Sequence, residues 1–229
     1  MKIKGVMFDG YGTLFWGAIE VLLQVTDIIV EDHNLDMTPE EFLNLWDRYF
    51  FPLLSGDFIT LREANRLSLE RTFEALGVAS DTQRHVDFQF DRWNQAPVYP
   101  EVKEILWRLD GVPRCIVSNA DVENIEGVLK SNRLEFPMVV TSESARSYKP
   151  SPEIFLQALD LLRCKPEEAL FVGDSQQDDI VGAKKMGIPV VWVNRSNVPL
   201  ELSIPKPDYE IGDLRGLLDI VHGRAERRV

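Results

Sequence analysis

After Pro100 the sequence alternates regularly between short apolar segments and helical patterns, and this alternation constrains the fold more than any other feature. Strands are predicted over residues 114–117, 138–141, 169–172 and 189–193. Helical periodicity marks the segments between them, residues 122–130, 152–162 and 177–186. Short strands separated by helices indicate a parallel sheet with helices on both faces.

One further strand is predicted much earlier, over residues 3–8, and it ends at a Gly-rich turn. The long segment between that turn and Pro100 has helical patterns instead. These include a capping sequence at residues 38–41 and a helix over residues 61–76 that stops at Gly77. We therefore predict an α/β fold: a doubly wound parallel, Rossmann-like sheet built from residues 1–14 and 97–229, with a helical cap domain inserted at residues 15–96.

The charge of the chain is strongly negative and unevenly distributed. The 37 Asp and Glu residues outnumber the 25 Lys and Arg residues, for a formal net charge of −12. This argues against general binding to nucleic acid or to anionic membranes. Residues 15–96 hold 15 acids, six arginines and no lysine, a net charge of −9. The acidic segment is either a solvated helical surface or a cap that disfavours highly anionic substrates.

The two cysteines, Cys115 and Cys164, have neither metal-ligand spacing nor the pattern of a disulfide framework, which is typical of a reducing compartment. The first residues lack the apolar run of a secretory signal, and no stretch approaches the ~20 apolar residues of a membrane span. We therefore expect a cytoplasmic protein with a small-molecule substrate and without nucleic-acid or membrane partners. The oligomeric state is left open.

Polar residues follow the predicted strands at the points where these strands end: Asp9, Ser118 with Asn119, and Asp174, while Lys149 lies in the loop after residues 138–141. Each of these residues alone has a plain explanation as a turn, capping or surface residue. Ligands bind beyond the carboxyl ends of the strands in an open parallel sheet. The combination therefore predicts one shared site.

In this order the segments resemble the four motifs of the haloacid dehalogenase-like hydrolase superfamily. The matching stretches are Phe8-Asp9-Gly10-Tyr11-Gly12-Thr13-Leu14, Val117-Ser118-Asn119, Tyr148-Lys149-Pro150, and Val172-Gly173-Asp174-Ser175 with Asp178-Asp179. The resemblance spans nearly the whole chain and includes a helical cap inserted after the first motif. It implies a hydrolase in which Asp9 is the nucleophile and forms a covalent intermediate.

The remaining motif residues are expected to bind and stabilise the transferred group. By resemblance, Ser118 and Lys149 act with Asp9 in catalysis, and Lys149 neutralises the negative charge that develops. The expected substrate-binding residues are Tyr11, Gly12 and Thr13, whose backbone N–H groups can form an anion-binding nest, together with Asn119.

A metal ion is expected because several carboxylates converge on one lysine. Carboxylates that lie close together in a poorly solvated pocket destabilise the protein unless a cation compensates their charge. Mg²⁺ is a hard cation that prefers oxygen ligands. By resemblance, its contacts are Asp9, the backbone carbonyl of Tyr11 and Asp174. Asp179 lies five residues after Asp174, which is a commoner spacing for the supporting acid than that of Asp178.

The first motif departs from the phosphatase pattern at Tyr11. Most phosphatases of this superfamily have a second Asp there, as general acid and base, whereas a phenol with a pKa of about 10 transfers protons poorly near neutrality. Asp-X-Tyr-Gly-Thr is typical of the 2-haloacid dehalogenase branch. That branch, however, has an arginine beside the cap tryptophan, where this chain has Asp47, and serines in place of the Gly-Asp of the fourth motif. Arg48 comes one residue later, turned by ~100° on a helix.

We therefore expect a Mg²⁺-dependent phosphatase of small phosphorylated metabolites. Without a general acid it is slow, or it specialises in good leaving groups such as acyl phosphates. One alternative is a metal-free 2-haloacid dehalogenase. The other is a non-enzymatic relative whose pocket binds an anion or a protein partner.

Overall fold

A computed structural model describes residues 3–225 and has a six-stranded sheet at its centre. The strands are β1 (Gly5–Phe8), β2 (Arg114–Ser118), β3 (Met138–Thr141), β4 (Ala169–Gly173), β5 (Val190–Val193) and β6 (Tyr209–Ile211). All neighbours are parallel, in the order β3-β2-β1-β4-β5-β6. The order reverses between β1 and β4, so the predicted doubly wound sheet is confirmed. Ligands bind at such a reversal, beyond the carboxyl ends of the strands.

Five helices lie between β1 and β2, and the first four are called the cap helices below: α1 (Ala18–Asp32), α2 (Pro39–Leu54), α3 (Leu61–Leu76) and α4 (Thr82–Trp93). The predicted start of α2 is confirmed, since the Thr38 side chain accepts a hydrogen bond from the Glu41 N–H at 3.2 Å and the Glu41 carboxylate accepts one from Thr38 N–H at 2.8 Å. The α3 helix has the predicted bounds and ends at Gly77. These helices bury an apolar cluster of their own.

The later helices are α5 (Val102–Arg108), α6 (Val122–Asn132), α7 (Ser142–Ala145), α8 (Pro152–Leu162), α9 (Val181–Lys185) and α10 (Leu217–Val221). The sheet has an apolar cluster on each face, because side chains alternate along its strands. Along β1, Val6 and Phe8 belong to one cluster and Met7 to the other. These two clusters bury both faces of the sheet. The carboxyl edge of the sheet lies beneath the cap helices.

The structure adds α5 and α7 to the predicted elements and corrects further details of the sequence prediction. β1 begins at Gly5 rather than at residue 3. β6 and α10 follow the last predicted strand and were not predicted. The β6 strand gives a weak sequence signal because it has three residues and is only half-buried. The helix predicted over residues 177–186 is a π-helical turn, Gln176–Ile180, followed by α9. Such turns are frequent at functional sites.

The ends of the predicted core, residues 1–2 and 226–229, lie outside the described residues. Within residues 3–225, no helix combines the length and the apolar character needed to cross a membrane.

Candidate active site

Asp9 lies at the carboxyl end of β1 and its side chain is buried. Its backbone N–H donates to the Val172 carbonyl at 2.9 Å, which fixes it to the edge of β4. Three residues later, Gly12 has a φ of 95°, and a Cβ at this position would lie 2.3 Å from Asp174 Oδ2. Only glycine fits here, because any side chain would be strained and would displace the Asp174 carboxylate.

Lys149 joins two of the predicted site carboxylates. Its Nζ donates to Asp9 Oδ1 at 2.6 Å and to Asp179 Oδ1 at 2.7 Å, and all three side chains are buried. Burial alone would lower the pKa of Lys149, but the nearby Asp179 and Asp9 carboxylates raise it above its ordinary value. The lysine is therefore a permanent positive charge beside the predicted nucleophile.

Asp9, Asp174 and Asp179 form a carboxylate cluster. One oxygen of each lies within 4.8 Å of one oxygen of the others. Burial, followed by the Asp9 and Asp179 charges, raises the pKa of Asp174, and burial raises that of Asp179 to about 6. Asp9 Oδ2 is buried and has no hydrogen-bond donor among the described residues. Two buried carboxylates, the half-buried Asp174, one lysine and one unpartnered oxygen fit a hard divalent cation.

Thr13 of the first motif and Gly173 of the fourth motif shape this cluster. The Thr13 hydroxyl donates to Asp174 Oδ1 at 3.0 Å and holds that side chain in place. Asp179 Oδ2 accepts a hydrogen bond from the Ser175 N–H at 2.9 Å and packs against Gly173, where a Cβ would lie 2.2 Å from it. Asp178 is absent from the cluster, and the geometry therefore favours Asp179 as the supporting acid.

Ser118 and Asn119 reach the same edge from the end of β2. A Cβ added to Gly10 would lie 2.9 Å from Ser118 Oγ, so the serine hydroxyl lies against the turn that follows Asp9. The Asn119 side chain accepts from the Lys149 N–H at 2.7 Å and donates to the Lys149 carbonyl at 3.1 Å. Asn119 thus positions the backbone of Lys149 while its side chain also lines a cavity.

The Tyr11 phenol does not replace the missing general acid. Its hydroxyl donates to the Trp93 carbonyl at 3.2 Å, and its ring lies 5.7 Å from Phe15 and 6.1 Å from Trp93 between ring centroids. Burial raises the pKa of Tyr11 further above its ordinary value. The side chain therefore ties the turn after Asp9 (residues 10–13, called the nucleophile turn below) to α4. The Tyr11 hydroxyl keeps its proton near neutral pH.

Arg195 anchors the same turn from the loop after β5, a role that the sequence does not predict. Its guanidinium donates to the Gly12 carbonyl at 3.3 Å and to the Thr13 carbonyl at 2.9 Å. It also pairs with the buried Glu101 at 2.8 Å and lies 3.4 Å from the centre of the Tyr99 ring. No local sequence pattern indicates these partners, because all of them lie far from Arg195 along the chain.

Asp121 and Tyr148 attach the cap helices to the sheet edge, and they too escape prediction. The Asp121 carboxylate accepts hydrogen bonds from the Leu61 and Arg62 N–H groups at 2.7 and 2.8 Å, which caps the start of α3. The Tyr148 hydroxyl donates to the Ile59 carbonyl at 3.0 Å. These contacts join residues distant in sequence and leave no local signal.

Between the cap helices and the sheet edge lies a cavity of about 230 Å³. Trp46 and Phe50 of α2 form part of its roof, and Asn119 is part of its floor. Neither Asp47 nor Arg48 lines it. Arg48 is exposed on another side of α2, in a surface pocket with acidic neighbours. Arg48 therefore lies away from this cavity, in agreement with its predicted turn of ~100° around the helix.

Comparison with known proteins confirms the family that the four motifs predicted. The family model described as haloacid dehalogenase-like hydrolase matches residues 3–187. A protein of Caldanaerobacter subterraneus subsp. tengcongensis named "Putative pyrophosphatase PpaX" is 38% identical, covering 97% of this chain and 96% of that protein. (S)-2-haloacid dehalogenase 1 of Pseudomonas sp. (strain CBS-3) is 27% identical, covering 94% and 95%. Among solved structures, L-2-haloacid dehalogenase from Xanthobacter autotrophicus has a TM-score of 0.79 at 24% identity, covering 97% of this chain and 100% of that one. The chain belongs to the haloacid dehalogenase-like hydrolases and is an enzyme of that family.

Proposed function

We propose that this hydrolase is a Mg²⁺-dependent phosphatase of small phosphorylated metabolites, with Asp9 as its nucleophile and residues 15–96 as its cap domain. The observation that carries the proposal is the carboxylate cluster. Its three acids, of which Asp9 and Asp179 are buried and Asp174 is half-buried, have Lys149 as their one cationic partner among residues 3–225, and Asp9 Oδ2 has no donor there. In a metal-free reaction the excess negative charge of this cluster stays uncompensated, whereas a divalent cation neutralises it.

The proposed reaction consists of two successive displacements at phosphorus. Asp9 attacks phosphorus, and the bond to the leaving oxygen breaks as that oxygen departs with the electron pair. Water then attacks the same phosphorus, the bond to Asp9 breaks, and phosphate keeps one proton of the water while the other passes to solvent. Lys149 remains charged and stabilises the negative charge on the transferred oxygens. Mg²⁺, held by Asp9, the Tyr11 carbonyl and Asp174 with Asp179 in support, would supply Lewis-acid stabilisation.

The leaving group decides which phosphorylated compounds react fast. An alkoxide leaving group needs a proton, and Tyr11 holds its own proton in a hydrogen bond to the Trp93 carbonyl. Losing general acid catalysis costs about 10²–10⁴-fold in rate. An acyl phosphate releases a carboxylate, whose conjugate acid has a pKa of about 4, so this group leaves without a proton. Acyl phosphates are therefore the favoured substrates.

The second candidate is a metal-free 2-haloacid dehalogenase, because Tyr11 is typical of that branch and a named relative is such an enzyme. A 2-haloacid carries a carboxylate that must be bound. Asp47 occupies the position of the arginine expected for that task, and Arg48 lies away from the cavity beneath the cap helices. These two positions favour the phosphatase.

Product release separates the candidates. The purified protein is incubated with acetyl phosphate and with 2-chloropropionate, each with Mg²⁺ and with a chelator, and Asp9→Asn is the control. Mg²⁺-dependent phosphate release that is lost in Asp9→Asn supports the proposal. Chloride release that resists the chelator would establish the dehalogenase instead, and release of neither product from a folded protein would refute both candidates.

A further inference from the structure

The cavity beneath the cap helices is small and mostly apolar. Its roof includes Leu43, Trp46, Phe50 and Leu54 of α2, and its floor includes Asn119 and Asp178. Asn119 bonds to the backbone of Lys149, whose Nζ contacts Asp9, so the floor adjoins the nucleophile. A volume of about 230 Å³ lies below the roughly 300–1,000 Å³ of pockets for drug-sized ligands.

This cavity has no cation to bind a second negative charge on the substrate. Among the described residues that line it there is no Lys, Arg or His, and Asp178 is its one charged side chain. The net charge of −9 over residues 15–96 has the same sign. An additional carboxylate or phosphate would therefore be desolvated against apolar side chains and repelled by Asp178.

A neighbouring cavity of about 410 Å³ opens on the Asp174 side of the site and leads to the same conclusion. Glu20 and Arg195 line it as well. The Arg195 charge is already balanced by the buried Glu101 at 2.8 Å, and its donors bind the Gly12 and Thr13 carbonyls. Within residues 3–225, neither cavity thus offers an uncommitted cation.

We infer, on the basis of the phosphatase function proposed above, that the substrate beyond its reacting phosphoryl group is a compact, apolar and uncharged body bound beneath the cap helices. An aromatic or branched aliphatic acyl phosphate fits this description, since indole and phenyl rings line the cavity. One relative is named a putative pyrophosphatase and another a 2-haloacid dehalogenase, and pyrophosphate and 2-haloacids both carry a further anionic group. This chain therefore differs from them in substrate charge.

A matched pair of substrates tests the inference. Benzoyl phosphate and 4-carboxybenzoyl phosphate share the reacting group and differ by one distant carboxylate, and pyrophosphate serves as a third compound. With Mg²⁺, and after correction for uncatalysed hydrolysis, we expect kcat/KM for benzoyl phosphate to exceed the other two by about 10-fold or more. Equal or faster release from 4-carboxybenzoyl phosphate or pyrophosphate would overturn the inference but leave the phosphatase standing. Release from none of the three, nor from acetyl phosphate, would overturn the proposed function and the inference with it.

A cation placed in the cavity tests where the body binds. Leu54 is half-buried at the end of α2 and lines the cavity. Leu54→Lys is expected to raise kcat/KM for 4-carboxybenzoyl phosphate relative to benzoyl phosphate by about 10-fold, whereas the uncharged, size-matched Leu54→Met keeps the original preference. Thermal unfolding verifies that both variants fold. An unchanged ratio in folded Leu54→Lys would overturn the assignment of the body to this cavity.

Discussion

Replacing Arg195 by methionine should uncouple the nucleophile turn from the sheet and leave a buried charge behind. The Glu101 side chain is 4% exposed and that of Arg195 17%, with 2.8 Å between their charged atoms. Breaking a buried ion pair by removing one partner costs about 3–5 kcal/mol. Because water reaches part of Arg195, we expect the free energy of unfolding to fall by about 3 kcal/mol, near the lower limit of that range.

The same substitution should also slow the enzyme. The Gly12 and Thr13 carbonyls lose charged donors at 3.3 and 2.9 Å, so the turn that carries Asp9 is held less firmly. We expect kcat to fall by about 10-fold or more, since small displacements of a reacting group are costly. Urea unfolding followed by circular dichroism gives the first quantity, and phosphate release from acetyl phosphate gives the second.

Two variants show whether the buried charge is the cause. Adding Glu101→Gln to Arg195→Met removes the uncompensated carboxylate and should recover about 1–2 kcal/mol. Arg215→Met breaks an ion pair of 2.7 Å whose side chains are 64% and 35% exposed, and such a surface pair contributes about 0–1 kcal/mol. A loss in Arg195→Met as small as that in Arg215→Met, or a double variant less stable than the single one, would refute the reasoning.

Three further substitutions probe the metal cluster and the turn. Asp174→Asn removes one carboxylate of the cluster and should abolish the Mg²⁺ binding that calorimetry detects in the parent protein. Tyr11→Asp places a carboxylic acid at the position of the missing general acid, and phosphate assays should show monoester hydrolysis rising by about 10-fold or more with acyl phosphate hydrolysis changed much less. Gly12→Ala should lose activity and Mg²⁺ affinity, because its Cβ would lie 2.3 Å from Asp174 Oδ2.

Control variants accompany the Tyr11 and Gly12 substitutions, and a contradicting result is stated for all three. Tyr11→Phe also loses the hydrogen bond to the Trp93 carbonyl, so a monoester rate that rises equally in both Tyr11 variants would contradict the acid–base explanation. Gly17 has the same φ of 95° as Gly12 but has nothing within 4 Å of a Cβ. Gly17→Ala should therefore lose stability without losing Mg²⁺ affinity, and equal affinity losses at both glycines would contradict the clash. Calorimetric Mg²⁺ binding retained in Asp174→Asn would remove that residue from the metal site.

The parts of the fold that local patterns specify could be predicted from the sequence. The bounds of α3 follow from its periodicity and from Gly77, and the start of α2 follows from Thr38 and Glu41. The candidate site residues could be located because the carboxyl ends of parallel strands share one edge of the sheet. The helical period also excludes Arg48, which lies on another side of α2 from Trp46 and Phe50.

What escaped prediction depends on contacts between distant segments. Arg195 meets the nucleophile turn across more than 180 residues of sequence, and no local pattern encodes that partner. The π-helical turn at Gln176–Ile180 is stabilised by Asp179, which reaches both Lys149 and the Ser175 N–H. A period of 3.6 residues alone gives a regular helix there, so the local deviation follows from the site itself.

The claim that Asp9 carries the phosphoryl group in a Mg²⁺-dependent reaction is tested most directly by the mass of the protein itself. The enzyme is mixed with acetyl phosphate and Mg²⁺, quenched in acid within the first turnovers, and measured intact and after peptide digestion. We predict a mass increase of one phosphoryl group, located on the peptide that contains Asp9, absent in Asp9→Asn and absent with a chelator. A phosphoryl group on another residue, an adduct that forms equally in the chelator, or an ester adduct formed from 2-chloropropionate instead would contradict this account.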